Sequence, residues 1–403
     1  MYRTLGRVSR EVDHQAVLDE IVGIAADYRP HLVLHTGDLF DSARPPVDSM
    51  RLGLDALRRL ADLAPVVVLA GNHDSRPLFR LFNQIIEFAT APRIRFVADV
   101  VRPGDGGILE FPGDDDEVIR LACMPFLHPN ALVDVIETPP EGWTGKYADS
   151  IRLLQDMYRR GFEIDYDNRR HINLYAAHLH VGGAVLAKSE RAVHVSQDYA
   201  VDVEALPPVT YAAFGHIHKP QKLAGPVAGR YAGSPIQLDY GEEGETKTVV
   251  TVEASPGRSA TPRVVDLKAG RPLVKLEETL DQLAAVAASH DGPMILTVTI
   301  DTDEPQTGLV EEVERLFPAA DLLQLHNRVA KHEFEAVRAD VQAEGELEFR
   351  TLFRGFVAGR DGLGRKQADR LTSLFDRVLG AVEAEQAPDL AEERAVLGEG
   401  VQS

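Results

Sequence analysis

Four short apolar runs, His31 to His35, Pro65 to Ala70, Ile172 to Ala177 and Val209 to Phe214, each give way at once to residues that bind metals. The runs have the length and the Val, Leu, Ile, Ala and aromatic content of buried strands. They run into Gly37-Asp38-Leu39-Phe40-Asp41, Gly71-Asn72-His73-Asp74, His178-Leu179-His180 and Gly215-His216-Ile217-His218. This pattern constrains the chain to an α/β fold whose strand carboxyl ends converge, because open sheets build their sites just beyond those ends. The donors are Asp, Asn and His without Cys, which suits a hydrolytic Mn, Fe or Zn centre better than a structural zinc.

Each cluster has a chemical reading of its own. Asp38 comes after a glycine that permits a tight turn, and a carboxylate placed centrally can bridge two metals. Asn72 offers a neutral amide oxygen, while the neighbouring His73 is left for acid-base work near neutral pH. Asp74 is expected to hold the His73 imidazole in one tautomer, and Asp41 to support the same site. His216 and His218, two apart on extended backbone, share a face and can each reach a different metal. His178 supplies a further nitrogen from the adjacent strand. An isolated histidine is more often structural than a ligand, so His14, His31, His128, His171, His194, His290, His326 and His332 are read as structural. His35 and His180 are read as packing or cleft-lining residues.

At 403 residues the chain exceeds what a single core usually supports, and two or more domains are expected. No run of about 18 apolar residues and no charged-then-apolar leader is present, so no membrane span is expected and the cytoplasm is the expected location. The single Cys123, within the apolar run Ile119 to Met124, is read as an inert core thiol in a reducing compartment. A net charge of -20 argues against broad electrostatic attraction to nucleic acid. DNA remains possible as a substrate because divalent metals bring positive charge to a site, and Arg44, Arg76 and Arg80 lie around the first two ligand loops.

Periodicity predicts helices over Glu11 to Tyr28, Val47 to Leu63 and Pro77 to Ala89, a strand over Ile94 to Val97, β-rich chain from Val101 to Met124, a helix over Ile151 to Arg160 and strands from His171 to about Val265. Pro139 to Gly145, with Trp143, reads as a loop. Beyond Gly270-Arg271-Pro272 a small α+β unit is expected: helix Leu276 to Ala288, strand Met294 to Ile300, helix Gly308 to Phe317 and strand Leu322 to Leu325. A C-terminal segment comes next, with an apolar cluster at Leu347, Phe349, Leu352, Phe353 and Phe356 and a helix from Lys366 to Glu385 that is read either as core or as a docking surface. The expected domains are therefore 1-269, 270-340 and 341-403.

Taken together the motifs resemble the calcineurin-like metallophosphoesterase superfamily, and within it the SbcD family, the nuclease subunits of SbcCD exonucleases. The branch is indicated by Gly37-Asp38-Leu39-Phe40-Asp41 with Arg44-Pro45-Pro46, Gly71-Asn72-His73-Asp74, Ala177-His178-Leu179, Gly215-His216-Ile217-His218-Lys219 and the turn Tyr231-Ala232-Gly233-Ser234-Pro235-Ile236. The resemblance implies a metallophosphoesterase β-sandwich flanked by helices, with a small α+β capping domain that binds DNA and a helical C-terminal segment. It also implies two Mn ions roughly 3.5 to 4 Å apart, clamping a phosphodiester. Asp38 would bridge them, Asn72, His178 and His216 would complete one, His218 would belong to the other, and His73 would assist the leaving oxygen. The implied activity is exonuclease and endonuclease cleavage of DNA in repair and recombination, by a homodimer within a heterotetramer containing an SbcC-type ATPase, gripped by the segment near Phe353 and Lys366.

The family pattern also includes an opening strand ending in Asp-x-His that supplies further ligands to the metal of His218. Tyr2-Arg3-Thr4-Leu5 resembles the stretch just after that His, so a start upstream of Met1 is expected. Asp13 and His14 are no substitute, lying inside a predicted helix. For the chain as it stands, one metal position is expected to be intact and one incomplete, with severely reduced nuclease activity. Two other readings stand beside the nuclease: a small-molecule phosphodiesterase or phosphatase, and a scaffold subunit whose degraded site is inactive.

Overall fold

The computed structural model describes residues 4–88, 93–128, 147–187, 200–304, 306–329, 357 and 369–377. A small hairpin, β1 (Thr4–Leu5) and β2 (Val8–Ser9), leads into α1 (Glu11–Tyr28), which ends at Arg29 in the left-handed region. Next come β3 (Val33–His35), α2 (Val47–Leu63), β4 (Val66–Leu69), α3 (Arg76–Ile86) and β5 (Ile94–Val97). The three strands form one parallel sheet in the order β3-β4-β5. The chain continues through β6 (Ile108–Pro112), β7 (Val118–Met124), α4 (Tyr147–Glu163), β8 (His171–His178), β9 (Tyr211–Gly215), β10 (Gln221–Lys222) and β11 (Gly229–Tyr231). Their strands make a six-stranded sheet, β10-β11-β9-β8-β7-β6, in which β7, β8, β9 and β11 run parallel.

Alternation along β4 shows how the two sheets are stacked. All four of its residues are buried, but Val66 and Val68 join Leu57, Leu60, Phe79 and Phe82 from α2 and α3, whereas Val67 and Leu69 face Leu121, Cys123 and Ala176 of the other sheet. The other face of β7 and β8, with Ala122, Met124, Tyr175 and Ala177, packs on Ile151, Leu154 and Tyr158 of α4. The layers are thus helix, sheet, sheet, helix, and β3, β4, β8 and β9 all end on one rim. Cys123 lies between the sheets, where burial pushes its thiol up to about 12, as befits an inert core residue.

Boundaries of α1, α2 and β5 coincide with the periodicity, and α3 starts where Ser75 caps it, its side chain accepting from the Leu78 N–H at 3.3 Å. One expectation is corrected. Leu276 to Ala288 is not one helix: Leu273–Glu278 forms a strand, β14, and only Leu280–Ala287 is helical, as α5. Val274 and Leu276 face the core while Lys275 and Glu277 are exposed, a period of two, and a capping box between Thr279 and Gln282 starts the helix. The hairpin β12 (Thr248–Glu253) and β13 (Thr261–Asp266) precedes this region, and β15 (Met294–Thr302), α6 (Leu309–Leu316) and β16 (Ala320–Val329) complete it.

The sheet β14-β15-β16 has a core of its own, including Leu283, Leu296, Val298, Ile300 and Val313. By its contacts, however, it belongs to one compact unit spanning Met1–Arg328, and a second unit spans Val329–Ser403. Within the second, residues 369–377 are helical, inside the helix expected from Lys366. Trp143 and its loop, His194, His332 and the Leu347 to Phe356 cluster lie outside the described residues. No described helix is long and apolar enough to cross a membrane.

Asp13 and His14 are both buried in the first turn of α1, outside the metal-type cluster found among the described residues. Asp13 accepts from Arg10 Nε at 2.7 Å and from the Arg271 backbone and guanidinium at 2.7, 3.0 and 2.8 Å, tying α1 to the entry of β14. His14 is 4% exposed, and burial first, then nearby positive charge including Arg10, lowers its pKa from 6.5 to about 3. A folded-state value below the unfolded one means the neutral ring's stabilisation is full above pH 6.5 and is lost as pH falls toward 3. The unfolding free energy measured in urea should therefore fall by up to about 1.4 kcal/mol per pH unit below pH 6.5, and His14→Leu should remove that part of the slope. An identical slope in both proteins would refute it.

Candidate metal centre

Glycines at the strand ends are required by space. Gly37 has φ +109, and a Cβ there would stand 2.1 Å from His178 Nδ1. A Cβ on Gly71 would meet Asp38 Oδ1 at 2.1 Å, and one on Gly215 would meet the Thr36 carbonyl at 2.2 Å. These close approaches bring the loops after β3, β4, β8 and β9 into one cluster. Two of its donors sit on unusual backbone, Asp38 at φ 55 and His216 at φ 97. A non-glycine residue held this way costs on the order of 1–3 kcal/mol, which surrounding contacts must offset.

Asp38, His178 and His216 present ligand atoms within 4.8 Å of one another, and among the described residues they form the cluster suited to a metal ion. Asn72 belongs with them, its Oδ1 lying 2.9 Å from both His178 Nε2 and His216 Nδ1. His178 Nδ1 donates to the Thr36 carbonyl at 2.8 Å, so its other nitrogen faces Asn72 Oδ1 and, at 3.3 Å, Asp38 Oδ2. Two acceptor oxygens aimed at one ring nitrogen require a positive species between them, either a proton or a metal ion. Electrostatics agree: burial disfavours the His178 cation, yet the Asp38 charge and hydrogen bond outweigh it and raise its pKa. Burial likewise pushes Asp38 upward, but His178 and then His73 reverse this and hold its carboxyl well below the ordinary range. Phe126, just past β7, flanks both rings, with centroids 6.2 Å from His178 and 6.3 Å from His216.

His73 lies beside the cluster. Its backbone N–H donates to Asp38 Oδ1 at 2.9 Å, and its Nδ1 donates to the Asp41 carbonyl at 2.8 Å, with the Asp41 carboxylate 3.9 Å away. The expectation for Asp74 is corrected here. Its carboxylate accepts backbone N–H groups of Gly71, Leu39 and Phe40 at 2.9, 3.2 and 3.0 Å, so it clamps the first two loops together instead of orienting His73. Burial first, then the charge of Asp38, pushes its pKa up to about 6 against those bonds. His218 is outside the three-donor cluster, and its Nδ1 is 3.2 Å from Glu242 Oε1. Arg76 and Arg80 both pair with the Asp99 carboxylate.

Sequence reading passed over Phe126 and Glu242. A fifth strand end, β7 running into Pro125-Phe126, was the signal for the first, and the Phe126 N–H donates to the Ala70 carbonyl at 2.8 Å. Glu242 carries no local signal.

The donor set, one carboxylate, two imidazoles and one amide oxygen converging within a few ångströms, fits a divalent metal. A model of the calcineurin-like phosphoesterase family matches residues 11–220. The chain is 28% identical over 401 residues to the SbcD subunit of the nuclease SbcCD of Bacillus subtilis, spanning 96% of this chain and 97% of that one. It is 27% identical over 392 residues to the protein of the same name from Escherichia coli K12, spanning 94% and 95%. The corresponding protein of Rhodobacter capsulatus is 28% identical over 343 residues, spanning 79% and 82%.

Proposed function

The chain belongs to the calcineurin-like phosphoesterase family, and from that premise we propose that it is the nuclease subunit of an SbcCD-type complex, hydrolysing DNA phosphodiester bonds. The observation that carries this reading is the convergence of Asp38, Asn72, His178 and His216, with His73 beside them, in a chain similar to nuclease subunits along nearly its whole length. In this reading Asp38, Asn72, His178 and His216 would hold one Mn ion, and Asp38 and His218 would contribute to holding a second. When bound, such ions polarise the phosphodiester and make water a nucleophile near neutral pH.

The chain's own residues do the rest. With Nδ1–H directed at the Asp41 carbonyl, His73 has Nε2 as the atom that exchanges a proton with the leaving oxygen. Asp74 keeps the Asp38 and His73 loops in register through three backbone N–H groups. Phe126 packs against two ligand rings and keeps them from turning. The partner in this reading is an SbcC-type ATPase held by the C-terminal segment, and the location is the cytoplasm. ATP-dependent exonuclease action on duplex ends and endonuclease action on single strands, in repair and recombination, complete it.

Purified chain with its ATPase partner should cleave linear duplex and single-stranded circles in Mn at a low rate, in keeping with an incomplete second metal position, lose this on chelation, and slow further by about 10²–10⁴ on His73→Gln with Mn binding retained. Hydrolysis of a small phosphodiester without any DNA cleavage would instead establish a small-molecule enzyme.

A homodimer is part of the same reading, and α3 supports it. Its buried face carries Phe79 and Phe82, yet Leu81 and Ile85 on its outer side and Phe88 just past its end are 48%, 57% and 90% exposed, a contiguous outward apolar patch. Ile85→Lys with Phe88→Lys should convert a dimeric mass in sedimentation to a monomeric one. A dimeric mass in the double variant would remove α3 from the interface.

A further inference from the structure

The Gly233-Ser234-Pro235 turn and the chain after it close on His218 from behind. Gly233, at φ +85, lies so near the His218 carbonyl that a Cβ would stand 2.6 Å from it. That carbonyl accepts the Ser234 N–H at 2.9 Å and Lys247 Nζ at 3.3 Å. The ring is held as well: its Nδ1 lies 3.2 Å from Oε1 of Glu242, a carboxylate with 0% exposure. Glu242 Oε2 in turn receives Lys247 Nζ at 2.6 Å and the Leu238 N–H at 3.1 Å, and Ser234 Oγ, whose one hydrogen it shares with the Ile236 carbonyl at 3.0 Å, lies 3.2 Å away. Lys247, 5% exposed, also meets Glu245 at 3.0 Å.

Burying an ionised pair costs several kcal/mol per ion unless geometry and added hydrogen bonds compensate, so such a pair is a poor way merely to stabilise a fold. Here Oε2 of the carboxylate is occupied by the Lys247, Ser234 and Leu238 donors, and Oε1 faces the His218 imidazole. A carboxylate at Nδ1 fixes the Nδ1–H tautomer and leaves the lone pair on Nε2, the arrangement by which outer carboxylates orient metal-binding histidines. We propose that Glu242, anchored by Lys247 and Ser234, is the positioning residue that sets the tautomer and orientation of His218 for a divalent cation. It touches neither cation nor substrate, and the inference rests on the reading of His218 as a metal ligand.

The test uses the full chain, metal-free and then titrated with Mn²⁺. Long-range ¹H–¹⁵N spectra of ¹⁵N-histidine protein, with His218 assigned through His218→Asn, should show the Nδ1–H tautomer. Glu242→Leu with Lys247→Met removes both buried charges together, and should shift the tautomer and weaken the weaker of the two Mn²⁺ binding steps, the one assigned to His218, by about 10- to 100-fold. Glu242→Gln keeps an acceptor oxygen and should retain the tautomer with a smaller loss of affinity. Unchanged tautomer and unchanged affinity in the double variant overturn the proposal. If His218→Asn leaves Mn²⁺ affinity intact while the double variant shifts the tautomer, the positioning holds and the ligand role of His218 fails. Should the double variant not fold, Ser234→Ala decides: it should give the same changes in smaller measure, and none would overturn the inference.

Discussion

Asp38→Asn should abolish divalent-metal binding at the Asp38, Asn72, His178 and His216 cluster while the protein stays folded. The carboxylate is the anionic member of that donor set, and its charge and hydrogen bond raise the His178 pKa against burial, which lowers it. An amide keeps the shape and one acceptor oxygen, so the His73 N–H, 2.9 Å from Oδ1, still has a partner. Transition-state charge stabilisation by a metal amounts to several kcal/mol, so phosphodiester hydrolysis should fall by a factor on the order of 10³ or more. Titration calorimetry with Mn²⁺ together with circular dichroism checks this. Wild-type metal affinity in the variant would show that the cluster is not the metal centre.

Gly71→Ala should do comparable damage although glycine binds nothing. Its φ is ordinary, so the requirement is one of space: the added Cβ would lie 2.1 Å from Asp38 Oδ1 and 2.3 Å from the Asp38 backbone nitrogen. A side chain can swing away, but that backbone nitrogen cannot move without shifting the whole loop after β3. The Gly71 N–H that anchors Asp74 would move with it. Destabilisation of about 3 kcal/mol is expected, as for overpacking a rigid interior, with loss of metal binding. Gly23→Ala is the control, since a Cβ there has nothing within 4 Å in α1, and it should raise stability by about 1 kcal/mol. Equal melting temperatures for Gly71→Ala and wild type would sink the packing argument.

Much of this arrangement is legible in the residues alone. Helices α1 and α2 begin and end where their apolar spacing does, and the strands before Asp38, Asn72, His178 and His216 stand within a few residues of their expected bounds. The extension of the helix back to Leu276 has a local cause, a period-two stretch, Leu273–Glu278, joined directly to the capped helix at Thr279. The misreading of Asp74 has a different one. A carboxylate next to a histidine in sequence invites pairing, but on a tight loop the backbone N–H groups of Gly71, Leu39 and Phe40 are nearer and need acceptors once buried.

The amino-acid sequence by itself determined which strands form and which donors ride at their ends, because two-residue alternation, helical spacing and glycine turns act within a few residues. Only the tertiary structure decided which oxygen faces which nitrogen. The 2.9 Å meetings of Asn72 with His178 and His216 span 106 and 144 residues, and Glu242 reaches His218 across 24. Such pairings depend on how two sheets stack through Val67, Leu69, Leu121, Cys123 and Ala176, and that stacking leaves no mark beside the residues it brings together.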